Sequence, residues 1–170
     1  LLTKETNILV SFSAGSDSVF LVETLLKLGY KKLHLLYFNH HLRTKNELNK
    51  DISFCKNYAK KKGLILKIKS IPVTCAQKRH KKSIEDTARI LRRGYLTHFA
   101  KLKNYNIILT AHHYDDQIES LLLRYQQGTQ KISLPLKLTS HLSENITLYR
   151  PLLNIKKTEI INSLKQEKIS

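Results

Sequence analysis

Asn7-Ile8-Leu9-Val10-Ser11-Phe12 runs straight into Ser13-Ala14-Gly15-Ser16-Asp17-Ser18, and the pairing of these two stretches decides the fold. The first is an apolar run of strand length, and its unbroken hydrophobicity suits a strand covered on both faces. The second is a turn of small residues. From Asp17 to Leu28 the apolar residues then recur at helical spacing, with Gly29 where a helix ends. A buried strand, a tight turn and a helix form the opening unit of a parallel α/β sheet.

The alternation continues along the chain. Leu33 to Phe38 reads as a second strand, Glu47 to Lys62 as a helix closed by Gly63, and Leu64 to Ile68 as a third strand. The run Lys60-Lys61-Lys62 complements a helix dipole and is given no other role. Ser83-Ile84-Glu85-Asp86 has the form of a capping box and opens a helix reaching about Ala100. Asn106 to Thr110 is a fourth strand, followed by a helix from about Asp115 to Gln126. Gly128 to Asn145 lacks periodicity and reads as a loop, Thr147 to Arg150 as a short fifth strand, and Lys156 to Leu164 as a closing helix. The expected class is α/β: an open, mostly parallel five-stranded sheet with helices on both faces, joined by right-handed crossovers. One domain spans residues 1–170.

Composition agrees with a globular chain, since 41% of residues are hydrophobic and 25% charged. Thirty Lys and Arg against thirteen Asp and Glu give a net charge of +17. Such a field favours polyanions, nucleic acid first and an anionic membrane surface second. The seven Arg beside 23 Lys, with abundant Ile and Asn, also fit the coding drift of an AT-rich genome, so charge alone does not decide for RNA. Cys55 and Cys75 form no Cys-x-x-Cys pair and read as two reduced thiols, not as a zinc or iron–sulfur site. Lys4-Glu5-Thr6 interrupts the N-terminal apolar residues, and no apolar run approaches the roughly 20 residues of a membrane span. The expected setting is the cytoplasm, without a membrane. The lack of any Met and the end at Ser170 fit a piece of a longer protein.

In an open parallel sheet, ligands bind beyond the carboxyl ends of the strands, near the point where strand order reverses. After the first strand come hydroxyls of Ser13, Ser16 and Ser18 and the N–H groups of a helix start, which suit phosphate. There is neither the Gly-Lys-Ser/Thr of a Walker loop nor Gly-x-Gly-x-x-Gly. Asp17 would repel phosphate unless a cation lay between them, which points to magnesium; it could equally offset the helix dipole. After the second strand comes the polar cluster Asn39-His40-His41-Leu42-Arg43. After the fourth comes Ala111-His112-His113-Tyr114-Asp115-Asp116-Gln117-Ile118-Glu119. An acid-rich first turn explains Asp115 and Asp116 but not the paired histidines. Asp116 and Glu119 share a helix face that could bind an ammonium group, hold a metal or take a proton from an amine. After the fifth strand comes Arg150-Pro151-Leu152-Leu153, while Arg89 and Arg92 lie three apart on the long preceding helix. Each arginine suits phosphate, and each alone could be an ordinary surface charge. Together the clusters would meet at one rim with the equipment of an enzyme that uses ATP.

At this point the segments become recognisable. Ser13-Ala14-Gly15-Ser16-Asp17-Ser18 resembles the Ser-Gly-Gly-x-Asp-Ser pyrophosphatase loop, or PP loop, of the N-type ATP pyrophosphatases, which cleave ATP between its α and β phosphates. Within that superfamily, four further segments are similar to the tRNA(Ile)-lysidine synthetases. These are Asn39 to Arg43, Ile84-Glu85 through Ala88-Arg89 to Arg92, His112 to Glu119, and Arg150 to Leu153. The resemblance implies that ATP adenylates the wobble cytidine of a tRNA(Ile) with a CAU anticodon. The ε-amine of free lysine then displaces AMP. It implies a cofactor-binding set of Ser13, Ala14, Gly15, Ser16, Asp17, Ser18, Asn39, His40 and Arg89, with Asp17 as the magnesium ligand. The implied catalytic set is Asp17, Arg92, His112, Asp116, Glu119 and Arg150, with Asp116 and Glu119 holding the lysine.

Two positions depart from the family pattern. Ala14 stands where the family has Gly, which strains the loop if the backbone there takes a positive φ. Arg93 stands where the family usually has Tyr, with Tyr95 the nearest aromatic replacement. The family also continues into helical C-terminal regions that help grip the tRNA. Lys78-Arg79-His80-Lys81-Lys82 could touch RNA phosphate or be a solvated loop. Two other readings remain open. One is a thiolase of the same superfamily, which generally needs the Cys-x-x-Cys pair that Cys55 and Cys75 cannot supply. The other is a non-catalytic RNA-binding module, which leaves the acidic cluster unexplained. The oligomeric state is open too, a homodimer included.

Overall fold

The computed structural model describes residues 3–42, 44–80, 83–126, 136–167 and 169. The chain alternates β1 (Ile8–Phe12), α1 (Ser16–Lys27), β2 (Leu33–Asn39), α2 (Lys45–Lys62), β3 (Ile65–Ser70), α3 (Val73–His80) and α4 (Ile84–Leu102). It continues with β4 (Ile107–Thr110), α5 (Tyr114–Gln126), β5 (Thr139–Ser143), β6 (Ile146–Tyr149) and α6 (Lys157–Gln166). The strands form one sheet in the order β3-β2-β1-β4-β6-β5. Every neighbouring pair is parallel except β5 with β6.

The α/β class and mostly parallel sheet agree with the sequence reading, but the strand count is six instead of five. The extra strand, β5, lies inside the stretch read as a loop; residues 128–135 of that stretch fall outside the described residues. Thr139-Ser140-His141-Leu142-Ser143 carries little apolar patterning because β5 is an edge strand. Its ladder with β6 is made by backbone groups. The short helix α3 was also not foreseen. It begins with β-branched Val73 and Thr74 right after Pro72 and has no long apolar stripe.

Alternation along β1 sorts the core into two layers. Ile8, Val10 and Phe12 join residues of α1, α2 and α6 on one face, while Leu9 points to the other, against Leu96 and Ala100 of α4. Helices therefore cover both faces. The windings from β1 to β3 use α1 and α2 on the first face, and the return to β4 uses α4 on the second. Chain direction across the sheet thus reverses between β1 and β4, which opens a crevice at their carboxyl ends. No helix among the described residues is long and apolar enough to cross a membrane. Cys55 is buried and Cys75 exposed, and both are free thiols.

Helix ends follow local chemistry. Thr44 and Glu47 form a capping box at the start of α2, and Ser83 accepts from the Asp86 N–H at the start of α4. Gly63 closes α2 with a left-handed φ of 66°. Lys62 does more than complement the dipole. Its Nζ donates to Glu23 Oε2 at 2.8 Å, and Tyr58 Oη donates to Glu23 Oε1 at 2.9 Å, stitching α2 to α1. Glu23 is buried, so its charge depends on these two partners. Glu23→Ala strands a cation and a buried hydroxyl and should cost about 2–4 kcal/mol in urea unfolding.

Candidate active site at the sheet reversal

The loop after β1 is held from within. Ser18 Oγ accepts from the Ser13 N–H at 3.2 Å, lies 3.2 Å from Ser13 Oγ and donates to the Gly15 carbonyl at 2.9 Å. Ser18 is buried, so its hydroxyl serves the loop's shape. Ala14 takes φ +64°, the left-handed region that disfavours a Cβ. Gly15 is N-terminal cap of α1 at φ −82°, a conformation that does not require glycine. A Cβ there would meet Ser13 Oγ at 3.4 Å. Exposed Ser13 and Gly15 and the free N–H groups opening α1 therefore line a small cradle.

α6 supplies a residue that the sequence did not single out. Lys157, the first residue of α6, donates from Nζ to Ser16 Oγ at 2.9 Å and forms an ion pair with Asp17. A lysine in a first helical turn opposes the dipole, and that mismatch is the one local signal that could have flagged it. Its backbone N–H donates to Asp115 Oδ2 at 2.8 Å. That bond, first, holds the exposed Asp115 carboxyl below the usual carboxylate range. α5 is tied to the same segment by Tyr114 N–H donating to the Ile155 carbonyl at 3.0 Å, and by Gln117 donating to the Leu153 carbonyl at 2.8 Å.

Between the loop and α5 lies His113, buried among three carboxylates. Its Nε2 is 3.7 Å from both Asp17 Oδ2 and Asp116 Oδ2, and its Nδ1 is 3.5 Å from Asp115 Oδ2. Its own N–H donates to Asp116 Oδ2 at 2.8 Å, which fixes that carboxylate at the helix start. His112 shares a 2.9 Å hydrogen bond with Thr110 Oγ1. Burial first, then neighbouring Arg150 and Arg92, drives its pKa down to about 4 against the opposing pull of Asp116. Arg92 donates to His40 Nε2 at 3.3 Å, and burial followed by the Arg92 charge lowers His40 to about 4 as well. Burial also lowers the Arg92 guanidinium pKa.

Most of the residues singled out from the sequence therefore converge. Ser13 to Ser18, Asn39, His40, Arg92, His112, Asp116 and Arg150 all lie at the carboxyl ends of β1, β2, β4 and β6 or on α4 beside them. Asn39 is buried and accepts from the His41 N–H at 2.9 Å. Arg150 donates to the Lys137 carbonyl at 2.6 Å and to Ser140 Oγ at 2.9 Å, so β5 and its approach anchor it. Two residues are not drawn in. Arg89 is 76% exposed and pairs with Asp86 at 2.7 Å, and Glu119 is exposed one turn beyond Asp116. Arg43 lies outside the described residues, as do Lys81 and Lys82 of the basic run. No group of three or more His, Cys, Asp or Glu among the described residues could hold a metal by itself. Four buried side-chain polar atoms lack a hydrogen-bond partner among the described residues. Three belong to this rim: His40 Nδ1, His113 Nδ1 and Arg150 Nε. Buried polar groups of this kind call for a ligand or water.

The family of PP-loop domains matches residues 2–170. The tRNA(Ile)-lysidine synthase of Persephonella marina is 31% identical over 173 residues, covering 99% of this chain and 37% of that protein. The tRNA(Ile)-lysidine synthase of Borrelia garinii is 33% identical over 168 residues, covering 98% of this chain and 37% of that protein. This chain thus spans somewhat over a third of the length of these relatives. Among solved structures, the U34-tRNA thiolase NcsA of Methanococcus maripaludis superposes with a TM-score of 0.71 at 18% identity, covering 98% of this chain and 59% of that one. The NH3-dependent NAD synthetase of Campylobacter jejuni superposes at 0.63 and 19% identity, covering 96% and 64%. At such identities the two structures bear on the fold alone.

Two outcomes follow from this geometry. Ala14→Gly removes the left-handed strain and should raise the unfolding free energy by about 1 kcal/mol, read as an increased thermal midpoint. His40 and His112 titrate near 6.5 when unfolded and near 4 when folded, so the unfolded chain takes up the protons first. Stability should hold above pH 6.5 and fall as pH drops from 6.5 towards 4. In urea titrations against pH, His112→Gln should make that acid limb shallower by about one proton.

Proposed function

The chain belongs to the family of PP-loop domains, and from that membership we propose that it is the ATP-using core of a tRNA(Ile)-lysidine synthetase. In this reading ATP adenylates the carbonyl oxygen of the wobble cytidine in a tRNA(Ile) with a CAU anticodon, releasing pyrophosphate. The ε-amine of lysine, after losing a proton, attacks the carbon that bears that oxygen, and AMP leaves. The observation that carries the reading is one crevice with two kinds of wall. Loop amides, Lys157, Arg92 and Arg150 favour phosphate, while Asp115 and Asp116 favour a cationic amine. Similarity to lysidine synthases along nearly the whole chain supports the same conclusion.

Roles divide accordingly. Ser13, Gly15 and Ser16 with the loop N–H groups hold the pyrophosphate moiety, and Ser18 keeps the loop in shape for it. Arg92, His112 and Arg150 contact the nucleotide. His112 does so as a neutral imidazole, since a group titrating near 4 is uncharged at physiological pH. Asp116 holds the lysine ammonium and orients the amine once it has lost its proton. Glu119 would extend that acidic face by one turn. Arg89 would first have to leave Asp86.

Magnesium fits the donor chemistry of Asp17. That carboxylate, with Ser16 Oγ beside it, already holds a cation in the Lys157 ammonium, and hard oxygen donors suit magnesium. With one carboxylate in place, phosphate oxygens and water would complete the shell, the usual arrangement for this ion on a nucleotide. When bound, magnesium would neutralise charge on the leaving pyrophosphate. A cytoplasmic enzyme acting on tRNA agrees with these roles.

AMP release by the full-length protein tests the function. With magnesium, lysine and tRNA(Ile) bearing CAU, AMP should appear, and it should vanish when lysine is omitted or the wobble C becomes U. AMP formed without lysine would assign another nucleophile. Asp116→Asn should raise the KM for lysine about tenfold or more while ATP binding stays intact; an unchanged KM removes Asp116 from that role. Asp17→Ala should abolish turnover, and wild-type rates in that variant would defeat the magnesium assignment.

A further inference from the structure

On the α4 face of the sheet, beyond the rim, β2 and the edge strand β3 leave a groove of about 570 Å³. Leu36 and Phe38 of β2 form its floor, and Tyr95 and Phe99 of α4 form one wall. The other wall is β3, where Lys67 stands opposite Leu36 in register and Lys69 opposite Phe38. Lys103, just past α4, closes the far end. None of the lining residues is acidic. The groove therefore combines an aromatic and apolar interior with a rim of three exposed lysines.

One end of the groove lies next to elements of the candidate active site. Lys69 lies one step before the end of β3, where Ser70 pairs with Asn39. Tyr95 lies three residues after Arg92, which itself bonds His40 at the rim. Lys69 Nζ sits 4.9 Å from the centre of the Tyr95 ring, a cation on an aromatic face.

We propose that this groove binds single-stranded RNA, namely nucleotides of the tRNA next to the base that enters the rim. Aromatic faces for bases and a lysine track for phosphates are the two components by which proteins hold single strands without reading sequence. Lys67, Lys69 and Lys103 take the phosphates, and bases stack on Tyr95 and Phe99. A peptide added as a further strand is disfavoured, because lysines along an edge strand oppose strand pairing. The proposal rests on the reading of the substrate as tRNA.

The test is binding of the full-length protein to tRNA(Ile) bearing CAU, measured over a salt series. The triple variant Lys67→Gln, Lys69→Gln, Lys103→Gln should weaken binding about tenfold or more and reduce the salt slope by about two, as loss of three single-strand phosphate contacts requires. Tyr95→Ala should weaken binding about fivefold or more with the slope unchanged, and Tyr95→Phe should restore it. A control triple, Lys56→Gln, Lys60→Gln, Lys61→Gln, makes the same charge change on α2 across the sheet and should stay within about twofold. ATP binding should be the same in all variants, which shows that each is folded. Equal losses in both triples would mean bulk charge alone and overturn the groove while the tRNA reading stands. Wild-type binding in the groove triple would overturn it too and leave the groove to a protein partner. A wild-type protein that ignores the tRNA would remove the reading on which the proposal rests.

Discussion

One buried hydroxyl governs the rim. Ser18 Oγ binds both ends of the turn that precedes it, the Ser13 N–H and the Gly15 carbonyl, and it does so from the first turn of α1. The loop therefore leaves β1 with the Ser13 and Gly15 N–H groups bonded within it, while the N–H groups that open α1 have no partner inside the helix. Everything else at the crevice is arranged around that fixed curve: Lys157 reaches it from α6, His113 approaches from the β4 side, and Asp17 lies between them. The turn also forces Ala14 into a left-handed conformation. The methyl at this position is tolerated where glycine would be relaxed, and the geometry is kept because the surrounding hydrogen bonds over-determine it.

The crevice separates charge by element. Cations come from α4, α6 and the end of β6, while carboxylates come from the first turns of α1 and α5. Helix dipoles favour this layout, since acids in a first turn are stabilised by the N-terminal field. The two histidines between these groups meet different fates. His113 lies among carboxylates, whereas His112 is held neutral chiefly by burial, with the Asp116 carboxylate opposing and the Arg150 and Arg92 guanidiniums assisting. Neighbouring residues in the chain thus share Asp116 but differ in the rest of their surroundings, further carboxylates for His113 and guanidiniums for His112.

How much of this was legible in the sequence depended on whether a feature is local. The unit of β1, turn and α1 could be read because apolar continuity, small residues and helical period follow one another in the chain. The acid and histidine cluster after β4 could be read because it departs from what a plain turn needs. β5 could not, since an edge strand held by backbone bonds demands little of its side chains. Lys157 could not, because its partners lie 140 and 141 residues away and meet it only when α6 packs on α1. Arg89 and Arg92 look alike in sequence, yet one folds back onto Asp86 and the other is half-buried beside His40. That difference comes from which side of α4 faces the sheet.

The dependence of the loop on Lys157 carries a consequence for the order of assembly. The chain is synthesised from its N-terminus, so the turn at Ser13 to Ser18 emerges long before the residue that neutralises Asp17. Until α6 docks, Asp17 lacks its Lys157 partner. Lys157 therefore joins the loop only when α6 packs against α1. The two ends of the described chain thus meet at one loop, and its charge balance is set by the finished fold and not by the local sequence.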